Sequence, residues 1–267
     1  MALDTRTDRG PSFAALLWGS TVGKKTVMAV SGLVMLLYLV VHMIGNLKIF
    51  FGAEEFNGYA HWLRVVGEPF MHDEWTLWLV RVVLVAAVVA HATSAYQLSR
   101  RDLRARPDKY AHPSPDHRPR PRRFAPHLLL SPGHRPWPRR FAPHLLLRRS
   151  YATRTMRWGG IILGLFLVWH LLDLTTGTAH PGGFQAGHPY ENVVDTFSTW
   201  YGNAVYLVAM LALGLHIRHG FWSAAQTLGV GSRARERLLK TLAQVLALVL
   251  TVGFISVPVA VMTGVVS

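Results

Sequence analysis

Residues 27–50 read VMAVSGLVMLLYLVVHMIGNLKIF, an apolar run in which His42 is the one basic or acidic side chain before Lys48. A hydrocarbon core is about 30 Å thick, and a helix needs roughly 20 apolar residues to cross it. The run has that length and no apolar–polar alternation, so it predicts a membrane-spanning helix rather than a strand. Four more such runs follow: Leu77–Leu98, Trp158–Leu174, Ala204–Phe221 and Leu242–Val266.

The five runs together predict an all-α membrane protein, a bundle of five transmembrane helices that forms a single membrane-anchor domain over residues 1–267. Only helices and closed barrels satisfy every backbone polar group in lipid. Hydrophobic residues make up 51% of the chain and charged residues 16%, which favours the membrane class over a soluble one. The partner that this composition predicts first is therefore the lipid membrane.

The net charge of +14 is distributed unevenly. Lys24 and Lys25 precede the first run, and the densest basic cluster lies in residues 99–157, whereas the connection over residues 175–203 has no Lys or Arg. By the positive-inside rule, this alternation predicts a cytoplasmic N-terminus and a C-terminus outside, in a multi-pass protein of the cell inner (cytoplasmic) membrane. The basic clusters are better explained as anchors beside anionic lipid than as a nucleic-acid site, so we predict no nucleic-acid partner.

Residues 99–157 also contain a tandem duplication. Residues 114–130 read SPDHRPRPRRFAPHLLL, and residues 131–147 read SPGHRPWPRRFAPHLLL. Because proline and arginine dominate both copies, we expect an irregular cytoplasmic loop with no catalytic role.

One histidine lies deep in each of the first four runs: His42, His91, His170 and His216. An ionisable group in hydrocarbon is costly and suggests a function, and neutral imidazole is an axial ligand of b-type haem. Since successive helices run in opposite directions, His42 and His170 fall in the outer half and His91 and His216 in the inner half, about 10 Å apart in depth. A lone membrane histidine is more often a hydrogen-bonding or packing residue, but two matched pairs favour iron ligation.

Haem propionates need cationic or hydrogen-bonding partners. Arg81 and Lys48 are candidates for an outer haem, and Ser31 and Arg218, together with Lys24 and Lys25, for an inner one. For the lysines, snorkelling to the membrane surface is an equally good interpretation. The chain has no cysteine, which excludes disulfides, c-type haem and thiolate-held iron–sulfur clusters within it.

Four segments resemble the five-helix, di-haem cytochrome b558 membrane anchor of succinate dehydrogenases and fumarate reductases. They are SGLVMLLYLVVHMIGNLKIFFG (31–52), FGAEEFNGYAHWLR (51–64), GGIILGLFLVWHLLD (159–173) and GLHIRHGFWSAAQTLG (214–229). In the last segment the family's ligand corresponds to His216 and not to His219. Some relatives carry a glutamate where this chain has Gly214, so that proton route is absent here.

The resemblance implies two bis-histidine b haems, a menaquinone site near the outer haem, and two partners: a flavoprotein subunit and an iron–sulfur subunit on the cytoplasmic face. Electrons from succinate would enter at the inner haem and reduce the quinone at this subunit, while the dicarboxylate chemistry belongs to the flavoprotein. Glu54, Glu55, Glu68 and Glu74 are the candidates for the proton exchange that accompanies quinone reduction.

Three other functions remain open from the sequence. A fumarate reductase anchor would use the same parts in reverse. A stand-alone di-haem reductase of the cytochrome b561 kind would need no soluble partner. A transporter or proton channel would use the histidines as a relay, but the runs contain few other ionisable groups to continue one.

Overall fold

The computed structural model describes residue 12 and residues 17–70, 72–104, 143–230 and 232–267, with the backbone alone described for residues 143–154. It is 82% helical, and the part of the chain it describes contains no strand. Five helices are long and apolar enough to cross a membrane, which confirms the predicted fold class. The direction in which the termini face stays a prediction.

Seven α-helices have both ends within the described ranges. They are α1 (Thr21–Asn46), α2 (Ala53–Val65), α3 (Trp75–Arg104), α4 (Pro143–Leu174), α5 (Pro189–Phe197), α6 (Trp200–Thr227) and α7 (Arg233–Met262), with a 3₁₀ turn at Leu47–Phe51 after α1. The candidate membrane helices are α1, α3, α4, α6 and α7. The short helices α2 and α5 lie in the two connections that are poor in basic residues.

The membrane helices extend beyond the apolar runs, because caps and backbone hydrogen bonds, not hydropathy, set where a helix ends. α1 begins at Thr21, where Oγ of Ser20 accepts a hydrogen bond from the Gly23 amide at 2.8 Å. α4 begins at Pro143, inside the predicted loop over residues 99–157, and proline suits the first turn of a helix. The part of the duplication over residues 114–142 lies outside the described residues.

A small set of hydrogen bonds, which we call the clasp, joins helices α2 and α5 at the end of the bundle where His42 lies. Asn57 Nδ2 donates to Glu191 Oε2 at 3.0 Å, and the amide of Tyr190 donates to Asn57 Oδ1 at 3.0 Å. The Tyr190 hydroxyl donates to the backbone carbonyl of Ser267 at 3.2 Å. These bonds hold both short helices and the last residue over one end of the bundle.

Helix α6 is the centre of the bundle and packs closely against α1, α4 and α7. Its buried residues meet α7 and α1 in one apolar cluster: Ala209, Met210, Leu213, Ile217, Leu250, Phe254 and Met43. A Cβ at Gly214 would meet the Thr251 hydroxyl, so this glycine allows α6 and α7 to approach. A larger side chain at position 214 would have to displace the Thr251 hydroxyl.

We predict that Gly202→Ala destabilises the protein by about 1–3 kcal/mol, because overpacking of a tight contact costs that much. Gly202 lies in the first turn of α6, and a Cβ there would collide with the carbonyl oxygen of Thr196. Gly160→Ala in α4 is the matched control, since a Cβ at Gly160 meets nothing within 4 Å. Thermal unfolding in detergent, followed by circular dichroism, measures both; equal melting temperatures for the two variants would contradict the prediction.

Candidate functional site

His42 of α1 and His170 of α4 face each other with ring centroids 6.0 Å apart and ring planes at 81°. Tyr38 stacks on His42 at 5.3 Å, and Phe166 lies 5.7 Å from His170. Both imidazoles are half-buried. We call these two residues the outer pair, after the depth that the sequence predicts for them.

His91 of α3 and His216 of α6 form a second pair, the inner pair, with centroids 6.1 Å apart and planes at 60°. The His91 Nδ1 lies 3.0 Å from the carbonyl oxygen of Met28. A carbonyl only accepts, so Nδ1 carries the proton and Nε2 keeps its lone pair. The His216 Nδ1 is buried and has no hydrogen-bond partner in the described part of the chain.

The helices that carry each pair do not pack closely against each other. Among the described residues, close packing joins α1 to α3, α1 to α6, α4 to α6 and α6 to α7, and neither α1 with α4 nor α3 with α6 is such a pair. The two imidazoles of each pair therefore approach each other across a gap between two helices that do not pack together. Gly32 and Gly159 border the inner pair: a Cβ at Gly32 would lie 3.2 Å from the His91 ring, and one at Gly159 would lie 3.9 Å from His216 Nδ1.

Along α1 the two pairs are well separated. Gly32 borders the His91 ring, and the rise from Gly32 to His42 is about 15 Å at 1.5 Å per residue. The sequence predicted about 10 Å. The difference arises because the His91 ring lies nearer to the start of α1 than a count of apolar residues indicates.

Comparison with models of known families, with curated proteins and with solved structures found no match. Functional conclusions therefore depend on the geometry of this chain.

A buried polar network continues from the outer pair. The hydroxyl of Tyr206 donates to Asp173 Oδ2 at 3.1 Å and lies 3.1 Å from His170 Nδ1. Because its one proton is used for Asp173, Tyr206 accepts from His170, whose Nε2 then keeps its lone pair. Asp173 Oδ1 also accepts from the Thr196 hydroxyl at 3.0 Å and lies 3.1 Å from Nδ1 of His180.

The network reaches the protein surface. The side chains of His180 and Asp173 are almost completely buried, at 0% and 1% exposed, whereas Asp195, 3.9 Å from His180 Nε2, is 45% exposed. A buried carboxylate with three donors around it is well compensated. Hydrogen bonds thus connect His170 to His180 through Tyr206 and Asp173. The His180 Nε2 has no hydrogen-bond partner among the described residues, and the exposed Asp195 lies 3.9 Å beyond it.

The sequence did not predict that these residues form one network. Asp173 was detectable, since it follows His170 by three residues and so lies on the same face of α4. A carboxylate at the end of an apolar run also needs a partner. Tyr206 and Thr196 gave no such signal, because their positions depend on how α6 and the connection fold onto α4.

The candidate propionate partners have different surroundings. Lys48 pairs with Glu55 at 3.5 Å and lies over the Tyr59 ring at 5.6 Å. Arg81 lies over the Trp78 ring at 4.9 Å, and its charge acts on Tyr38, which stacks on His42.

The candidates for the inner haem are less favourably placed. The Ser31 hydroxyl donates to the carbonyls of Val27 and Met28 in its own helix. Arg218 and Lys25 are exposed, and Arg218 lies on the side of α6 opposite His216. Lys24 is buried, but it lines a basic pocket together with Arg100, Arg101 and Arg104.

The four candidate glutamates lie at the same end of the bundle as the outer pair. Glu54 and Glu55 are in the first turn of α2, and Glu74 lies 3.9 Å from Arg64. A hydrogen bond with Asp73, and the negative charge of that carboxylate, raise the pKa of Glu68. Glu68 therefore holds a proton at a higher pH than an ordinary glutamate.

Glu191, which is not one of these four glutamates, behaves in the opposite way. Partial burial, the largest single effect, raises the pKa of its carboxyl, but the hydrogen bond from Asn57, a hydrogen bond from its own backbone and the nearby His188 together lower the pKa below the ordinary value. Glu191 therefore stays ionised, which suits its structural role in the clasp between α2 and α5.

We predict that Asp173→Asn destabilises the protein by about 1–3 kcal/mol, because an amide cannot accept from three donors and one is left unsatisfied. Asp195→Asn is the control, since Asp195 is largely exposed and also lies next to His180. Chemical unfolding in detergent gives the free-energy differences. A loss in Asp195→Asn as large as in Asp173→Asn would show that the buried network is not the cause.

Proposed function

We propose that the chain is the membrane-anchor subunit of a succinate:menaquinone oxidoreductase, in which the outer and inner histidine pairs hold two b haems. The observation that carries the proposal is the meeting of the histidines in two pairs, 6.0 and 6.1 Å apart, on helices that do not pack closely together. The proposal includes a cytoplasmic N-terminus and a location in the inner membrane, which follow from the distribution of Lys and Arg.

The separation of the rings suits a shared metal ion. An imidazole bound to a metal through nitrogen at about 2.0–2.1 Å has its centroid roughly 3 Å away, so two imidazoles on opposite sides of one ion have centroids roughly 6 Å apart. Aromatic rings in direct contact also lie at about 4.5–7 Å, so the distance fits a haem without requiring one. The unpacked helices favour a bound group, as does the His216 Nδ1, which has no partner among the described residues.

The hydrogen bonds of the imidazoles support the same interpretation. A metal-binding histidine usually donates its second ring N–H to a carbonyl or a carboxylate, which fixes the tautomer. His91 has Met28 as this acceptor, and His170 has Tyr206, which is in turn bonded to Asp173. In both cases the nitrogen that remains free is Nε2.

One-electron transfer is the chemistry that haem iron supplies when it is bound. The chain's own residues would ligate the iron through His42, His170, His91 and His216, and an apolar layer of Met210, Leu213 and Phe166 keeps water from the space between the pairs. Quinone reduction also consumes protons. Glu68, which holds its proton at a raised pKa, is the best placed chemically of the four glutamates.

The proton-relay alternative has one observation in its favour, the polar network from Asp195 to His170. A relay across the membrane needs such groups along the whole path. Between Tyr206 and His216, the buried residues of α6 are apolar: Ala209, Met210 and Leu213. We therefore assign the network to the support of His170 and not to transmembrane proton transport.

Haem content of the purified chain tests the ligand assignment. We expect two b haems per wild-type chain by pyridine haemochrome, and one in each of His42→Ala and His91→Ala, with a different haem lost in each. His219→Ala is the control, since His219 lies one turn from His216 and is in neither pair. A folded wild-type protein without haem would overturn the proposal.

The partners are tested by purifying the tagged chain from its membranes in mild detergent. We expect flavin and acid-labile sulfide to co-purify in stoichiometric amounts, with succinate-dependent quinone reduction, since the cysteine-free chain itself holds no iron–sulfur cluster. A chain with two haems and no flavin would be a free-standing reductase. Faster fumarate reduction than succinate oxidation would assign the reverse direction.

Tyr206→Phe tests whether the Tyr206 hydroxyl supports His170 as an iron ligand. Removal of the hydroxyl takes away the acceptor that makes the imidazole more basic, so we expect a more positive midpoint potential for the haem of the outer pair alone. Tyr201→Phe, an exposed neighbour on α6, is the control. Potentiometric titration resolves the two haems; a shift of both haems, or of neither, would argue against this role of Tyr206.

A further inference from the structure

A basic pocket of about 260 Å³ lies where the start of α1 meets the end of α3. Four cations line it: Lys24, Arg100, Arg101 and Arg104. Tyr96 forms part of the wall and accepts a hydrogen bond from Arg100 Nη1 at 3.4 Å, while Arg101 Nη1 donates to the Thr21 hydroxyl at 3.2 Å. Neutral groups thus hold two of the arginines in place.

The carboxylate nearest to this pocket in the sequence is Asp102, an exposed residue of α3 that forms no ion pair among the described residues. None of the four cations forms an ion pair with an acidic side chain in the described part of the chain, although ion pairs occur elsewhere, as between Lys240 and Glu236 at 2.6 Å. Lys24 is only 6% exposed. A buried ammonium without a counter-charge is costly, so the pocket calls for an anion.

An apolar groove of about 690 Å³ runs along the same side of α3 toward this pocket. Its walls include Trp18, Val82, Val85, Ala86, Val89 and Ala90, and it ends at Thr93, less than one turn from Tyr96. At 3.6 residues per turn, Val89, Tyr96 and Arg100 lie on one side of α3 and His91 on the opposite side. Groove and pocket therefore face away from the inner histidine pair.

We propose that this groove and pocket bind one anionic phospholipid, with an acyl chain along α3 and the phosphate between Lys24 and the three arginines. Basic pockets between membrane helices are suited to anionic head groups, and an apolar groove that leads into one supplies the hydrocarbon contact that a free phosphate does not need. None of its residues belongs to a histidine pair, but Lys24 and Arg81, which the sequence offered as propionate partners, also line the pocket and the groove. The proposal assigns Lys24 to the lipid phosphate and not to a haem propionate.

Native mass spectrometry of the full chain tests the proposal. Protein in mild detergent is mixed with equal amounts of dioleoylphosphatidylglycerol and dioleoylphosphatidylcholine, and the retained lipids are counted. We expect phosphatidylglycerol to be preferred and the preference to fall roughly tenfold in Arg101→Gln/Arg104→Gln, because each cation near a head group contributes to binding. Arg235→Gln/Arg237→Gln, which removes the same charge from exposed positions on α7, is expected to keep the preference.

The groove is tested separately. Ala86→Phe fills it and should reduce retention of phosphatidylglycerol, whereas Val83→Phe, on an exposed part of α3 outside the groove, should not. Inorganic phosphate is then added as a competitor. Equal retention of the two lipids, equal losses in the two arginine double variants, displacement of the lipid by millimolar phosphate, or loss of haem in the pocket variant would each overturn the proposal.

Discussion

Imidazole nitrogen inside an apolar helix bundle requires a polar or metal partner, and this requirement shapes the site at both depths. Each histidine enters from a different helix, and each ring is turned toward another ring and not toward lipid. The helices of each pair leave a space that the two imidazoles bridge. The same requirement explains the second layer around the rings, since His91 uses a backbone carbonyl and His170 uses Tyr206.

The two pairs differ in how they are supported, and the difference has consequences for chemistry. The partner of His170 is linked to a buried carboxylate, so negative charge lies close to the outer pair. His91 meets only the dipole of a peptide carbonyl, and His216 Nδ1 has no described partner. Negative charge near a ligand stabilises the oxidised, more positive iron. In the haem sites that we propose, the outer pair would therefore have the lower potential.

The sequence alone was sufficient to predict the five spans and the two histidine pairs, His42 with His170 and His91 with His216. Both follow from one rule: successive helices run in opposite directions, so equal depth can be counted from the ends of the runs. The short helices α2 and α5 could not be predicted in this way, because their polar and aromatic residues show no long apolar period. The network around Asp173 was missed for a different reason. The network consists of single hydrogen bonds between α4, α6 and the connection after α4, and only tertiary packing brings these groups together.

The contrast between Gly214 and Asp173 links packing to proton chemistry. Gly214 sits against the Thr251 hydroxyl where α6 meets α7, so a larger side chain at this position would have to displace that hydroxyl. Between Asp102 and Asp195, the described part of the chain has two carboxylates, Asp173 and Glu191. Asp173 lies beside the outer pair. Its three hydrogen bonds anchor it, and His180 lies between it and the exposed Asp195. A proton route through this network would thus connect the surface at Asp195 with His170 and go no further, since the apolar residues of α6 separate the outer pair from the inner one.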